Sequence, residues 1–233
     1  MALTDPVEFL VEKYYSTLMF FLIETSNSMA GCRIETINNV MKSVIPEISE
    51  KIYNFDVKIA ALAFSSGARW LTDAPVSAEN FDWKELKAEG NTDLGSAYKS
   101  LHEKIVKDAM MKKYCGSFSP SIILIGNGNP TDEWKSSLAA LKQTPWFKSS
   151  YKLAFAIGDN ANTDVLTEFT GTSNSVYRFD SFGKNLENER EYLSTIEDII
   201  NSFCYKVYIV DDYNPSQLDA IDEAYGVIRD YDD

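Results

Sequence analysis

Five short apolar runs punctuate the chain, at residues 18–23 (LMFFLI), 57–64 (VKIAALAF), 122–125 (IILI), 153–157 (LAFAI) and 176–179 (VYRF). Three of them lack polar alternation, the pattern of strands buried on both faces of a parallel sheet. Residues 68–71, after the turn-like Ser65-Ser66-Gly67, predict an antiparallel hairpin partner for the second run. Between the runs, apolar positions step by three and four. Ile34, Ile37, Met41, Val44 and Ile48 form one stripe, with Pro46 inside it predicting a kink or break near Val44 and Ile45. Leu94, Ala97, Tyr98, Leu101 and Ile105 form a second. Trp134, Leu138 and Leu141 form a third, started by Pro130-Thr131 and stopped before Pro145. Residues 163–169 predict a short helix ended by Gly171, and Leu193, Ile196, Ile200 and Phe203 a further one.

Strand–helix alternation of this kind predicts an α/β fold. The expectation is a Rossmann-like, doubly wound, mostly parallel six-stranded sheet with one antiparallel edge strand and helices on both faces. The alternation fills residues 1–204. Residues 205–233 differ, with eight acids against two bases. There Asn214-Pro215 predicts a helix start, and Leu218, Ile221, Tyr225 and Ile228 an apolar stripe on an acidic helix that docks on its own domain or on a partner.

Composition narrows the function classes. The net charge is 22 − 35 = −13, which repels phosphate backbones and anionic lipid and so disfavours nucleic-acid and membrane-surface binding. Cys32, Cys115 and Cys204 follow no metal-like spacing, and an odd, sparse set suits a reducing, cytoplasmic compartment. Asp5, Glu8 and Glu12 stand where a secretory signal carries basic residues, and the apolar stretch 14–23 is too short to cross a bilayer. The lone histidine, His102, has no acidic or cysteine partner in sequence, and no nucleophile elbow, P-loop or zinc-protease motif is present. Gly126-Asn127-Gly128 supplies two of the three glycines of a dinucleotide loop, with Thr131 in place of the third, which leaves a nucleotide-binding enzyme as a secondary alternative.

Loops leaving the carboxyl ends of parallel strands converge on one crest, and sites form there. Three such loops carry chemistry: residues 24–31 (ETSNSMAG), 90–95 (GNTDLG) and 126–132 (GNGNPTD). A carboxylate-x-Ser-x-Ser loop after an apolar strand, followed by a Thr-bearing loop and a Gly/Pro-Thr-Asp loop, resembles the metal-ion-dependent adhesion site of von Willebrand factor A (VWA) domains. The third loop, with Asn129-Pro130-Thr131-Asp132-Glu133-Trp134, is most similar to bacterial VWA proteins associated with tellurite resistance. The resemblance runs from about residue 17 to 203.

That resemblance implies a divalent cation, Mg²⁺ by its hard oxygen ligands, held by the hydroxyls of Ser26, Ser28 and Thr92. Both acidic positions of the pattern are altered. Glu24 replaces the first aspartate with a longer arm, and Asn127 replaces the second, keeping an oxygen but losing a charge. At about 5 Å and an effective dielectric of about 20, the lost charge pair is worth about 3 kcal/mol, roughly two decades of affinity. The cofactor expectation is therefore no cation, or weakly bound Mg²⁺. Asp93, Asp132 and Asp159 lie on loops facing the same crest and could restore charge. Ser28 and Thr92 also suit helix N-caps, and Ser26 a turn. The functional expectation is a non-enzymatic protein-interaction module. Its rival is a true Mg²⁺-dependent protein-binding domain of a stress-response system, where the resemblance suggests kinases or phosphatases of the same operon as partners.

Overall fold

The computed structural model describes residues 15–52, 55–115, 118–180 and 186–209. Every apolar run lies in one sheet. Its strands are β1 (Tyr15–Glu24), β2 (Phe55–Ser65), β3 (Gly67–Trp70), β4 (Val76–Ser77), β5 (Ser121–Gly126), β6 (Tyr151–Ile157) and β7 (Val176–Phe179). They are ordered β3-β2-β1-β5-β6-β7, parallel throughout except for β3, which returns from β2 as the antiparallel edge. The hairpin expected after Ser65-Ser66-Gly67 is thus present. A seventh strand joins the six expected: β4 pairs antiparallel with Lys58 and Ile59 of β2. Two residues are too few to leave a period in the sequence.

The helices are α1 (Cys32–Lys51), α2 (Leu94–Ile105), α3 (Asp108–Cys115), α4 (Lys135–Gln143), α5 (Pro145–Ser149), α6 (Thr163–Thr170) and α7 (Leu186–Ile209). Successive side chains of a strand point to opposite faces, and β1 uses this to feed two cores. Met19, Phe21 and Ile23 join one apolar cluster with buried residues of α1 and α7. Leu18, Phe20 and Leu22 join the other, with α2, α4 and α6. All six side chains are fully buried, which is why that run shows no polar alternation. The fold is the Rossmann-like, doubly wound α/β arrangement expected.

Two helix expectations need correction. Pro46 does not break its helix, because α1 runs from Cys32 to Lys51. An interior proline costs about 3 kcal/mol, but Val44, Ile45 and Ile48 around it are buried, each worth about 2 kcal/mol or more. Burial wins. The third helix starts at Lys135 with Trp134 as its N-cap, not at Pro130-Thr131. Residues 130–133 stay out because Thr131 bonds to Thr92 of the second loop and Asp132 to the first turn of α2. The short helix ended by Gly171 is observed, with that residue left-handed at φ 86°. Helix α7 continues across position 205 to Ile209. The apolar stripe Leu218, Ile221, Tyr225 and Ile228 of the acidic segment lies outside the described residues.

Candidate functional site

The carboxyl ends of β1, β2, β5 and β6 open on one edge of the sheet, and the loops that leave them are stitched together by backbone hydrogen bonds. Thr25 N donates to Phe64 O (2.7 Å), Asn27 N to Gly90 O (3.0 Å), Thr131 N to Thr92 O (2.8 Å) and Asn162 N to Asn127 O (2.7 Å). Satisfied backbone groups are what allow these turns to be partly buried.

Glu24, the last residue of β1, is fully buried at the centre of this crest. Ser26 Oγ donates to its Oε1 at 2.6 Å, and Ser28 Oγ and Thr92 Oγ1 donate to the same oxygen at 3.0 Å each. Asn127 N donates to the other oxygen, Oε2, at 2.7 Å. Four donors from three loops therefore close on one carboxylate. Gly126 makes room for it, since a Cβ there would lie 2.5 Å from Glu24 Oε2. The two serine hydroxyls also touch at 2.6 Å.

The three hydroxyls expected to act together are thus brought together, but around a side chain of the protein. Nor do they cap helices. The N-cap of α1 is Gly31 and that of α2 is Asp93, neither with a side-chain cap bond. Ser26 stands before a short 3-10 turn at Asn27–Met29, as a turn residue. Asn127 corrects a second expectation. Its Oδ1 accepts from Asn129 N at 2.8 Å, which turns its Nδ2 toward Ser28 Oγ at 2.5 Å. The oxygen it was expected to keep for a cation faces away, and an N–H points at the hydroxyls instead.

None of the three crest aspartates bonds to the hydroxyl cluster. Asp93 accepts from Gly67 N (2.8 Å) and Thr131 Oγ1 (3.2 Å). Asp132 accepts from Gly95 N and Ser96 N, both at 2.9 Å. It supplies, from the loop after β5, the anionic cap that the first turn of α2 lacks locally. Asp159 is exposed on the loop after β6, and its carbonyl accepts from Arg178 Nη2 at 2.8 Å. Replacing Asp132 with alanine should therefore lower stability by about 1–2 kcal/mol, measured as the urea midpoint at unchanged slope; no change would remove it from the crest's framework.

Sequence reasoning named Gly126 and Thr131 only as members of the third loop, without these roles, and missed Arg33. Thr131 Oγ1 accepts from Thr92 N at 3.0 Å, tying the second loop to the third. Its place within the third-loop motif was the one hint of this. Elsewhere, burial pushes the Cys115 thiol up to about 12 and raises that of Cys204 as well, so neither is poised as a nucleophile. Lys152 is lowered to about 8 by burial, and its ammonium donates to Phe147 O, Ser150 O and Ser150 Oγ, a structural knot at the far end of β6. Among the described residues, no helix is long and apolar enough to cross a membrane.

No protein-family model matches this chain, and no curated protein does. Solved structures do. A von Willebrand factor type A protein from Catenulispora acidiphila is 16% identical at a TM-score of 0.59, over 83% of this chain and 43% of that one. Proximal thread matrix protein 1 of the mussel byssus is 15% identical at 0.58, over 81% and 46%; the same protein has been solved with a zinc-occupied MIDAS motif. The ArnB paralog VWA2 from Sulfolobus acidocaldarius is 16% identical at 0.53, over 80% and 45%. The chain spans less than half the length of each. Likeness at this level establishes the fold, which is that of VWA domains.

Proposed function

We propose that this chain is a non-enzymatic protein-interaction module that presents its VWA-type crest to a protein partner without a divalent cation. The observation that carries the reading is the Glu24 carboxylate, closed upon by Ser26, Ser28, Thr92 and Asn127 N. Mg²⁺ needs oxygen lone pairs in near-octahedral array and tolerates misplaced ligands poorly. Here the point on which the three hydroxyls converge is filled by Oε1 of Glu24. Ser28 Oγ receives the Asn127 amide. The residues present do not fit the ion.

The non-enzymatic part rests on the same geometry. The two glycines of the loop after β5 serve the packing of the crest itself, which supports this reading over a phosphate-binding loop. A Cβ at Gly126 would meet Glu24, and one at Gly128 would lie 2.6 Å from Asn162 O. A clear thermal shift with NAD or ATP would count against this. The few, scattered cysteines support a cytoplasmic setting. A kinase or phosphatase partner is supported only by the resemblance to tellurite-resistance-associated proteins.

The rival reading is cation-dependent binding, favoured by the convergence of Ser26, Ser28 and Thr92 on one point. Calorimetric titration with Mg²⁺ and Mn²⁺ separates the two. We expect no saturable heat at millimolar metal and a melting temperature indifferent to EDTA. Millimolar or tighter binding, abolished by Ser26→Ala, would establish the rival.

A further inference from the structure

With Glu24 at its centre, the crest must find any fixed positive charge elsewhere. Arg33, in the first turn of α1, stands beside the hydroxyl cluster. Its Nη1 donates to Ser28 O at 2.8 Å. Its guanidinium lies across Gly158, where a Cβ would come within 2.5 Å of Nη2 and 2.6 Å of Cζ. Gly158 also has φ +98°, so position 158 requires glycine both for its backbone and to seat the arginine. The side chain is thereby held between the loop after β1 and the loop after β6.

Among the described residues, no acidic side chain lies within salt-bridge distance of Arg33. One of its five N–H donors is committed to Ser28. Arg178, the neighbouring guanidinium, is by contrast paired with Asp180 and the Asp159 carbonyl. The exposed side chains Asn27, Asn129 and Asn160 are uncharged donors and acceptors. A planar guanidinium fixed at two points loses little further freedom on binding, and its fork matches a carboxylate bidentately.

We propose that Arg33 receives a carboxylate of a protein partner on this crest, as a binding point that needs no metal. The proposal rests on the cation-free reading of the crest. A single charge-assisted contact of this kind on an acidic chain is weak and falls with salt.

The test is titration of the ¹⁵N-labelled full chain with a blocked tetra-glutamate peptide at low ionic strength, observed at the arginine Nε–H resonances. Inorganic phosphate and a blocked tetra-glutamine peptide serve as further arms. A saturable shift of the Arg33 signal with tetra-glutamate is expected, identical in EDTA and in Mg²⁺. It should weaken by about ten-fold or more in Arg33→Gln, as loss of a charge-assisted pair requires, and be partly kept in Arg33→Lys. No Arg33 shift, equal affinity in Arg33→Gln, equal binding of the glutamine peptide, or saturation by phosphate alone would overturn the proposal. Binding that requires Mg²⁺ yet is lost in Arg33→Gln would uphold the arginine contact while rejecting the cation-free crest. Binding indifferent to both Mg²⁺ and Arg33→Gln would do the reverse.

Discussion

Glu24→Ala should be the most damaging single substitution in the crest, lowering stability by about 3–4 kcal/mol. Four donors close on this carboxylate, and it is fully buried. Each buried donor left without an acceptor costs about 1–3 kcal/mol. The loss is held below the sum of four because Ser28 is exposed and can turn to water, and because the serines can bond to each other. For a chain of this length the fall in melting temperature is roughly 10 °C. Glu24→Gln separates charge from shape. Its amide oxygen can keep the three hydroxyls, but its NH₂ then faces Asn127 N–H, donor against donor. A loss of about 1–2 kcal/mol is expected. Chemical denaturation of both variants checks this, and an alanine variant within 1 kcal/mol of the parent would refute the central role given to Glu24.

The second large effect is a gain. Glu24→Asp combined with Asn127→Asp should raise Mn²⁺ or Mg²⁺ affinity about a hundredfold, the two decades estimated for one restored charge pair. The shorter arm withdraws the carboxylate from among Ser26, Ser28 and Thr92, clearing the point on which their oxygens converge. The second aspartate replaces the amide N–H now aimed at Ser28 Oγ. Calorimetry reads the gain directly. Should the double variant be marginally folded, it should regain about 2.7 kcal/mol at a metal concentration one hundred times Kd, by mass action, while the parent gains nothing. Failure of both signals would show that charge and arm length are not what excludes the ion.

The legible part of this protein was what repeats along the chain. Runs such as residues 18–23 and 122–125, apolar at every position, announced strands covered on both faces, and stripes such as that of α2 announced the helices between them. The order of those elements, with the turn at Ser65-Ser66-Gly67, was enough for the sheet and its antiparallel edge. Serine and threonine at the matching places of two loops were enough to group Ser26, Ser28 and Thr92. What stayed hidden depended on direction. Asn127 read as an oxygen ligand until Asn129 N–H was found to hold that oxygen away. Asp132 read as a spare crest charge until it was found capping α2. Pro46 read as a kink or a break, and the break was excluded only by the burial around it, which the sequence does not state.

By itself, then, the sequence determined the architecture and which residues meet at the crest, because period and order are one-dimensional properties that the hydrophobic effect converts into layers. Only the tertiary structure decided what those residues do to each other. One added methylene sets the Glu24 carboxylate among three hydroxyls, and a glycine sets Arg33 between two loops. Hydrogen bonds depend on tenths of an ångström and on which end of an amide faces inward, and neither quantity is written along a chain.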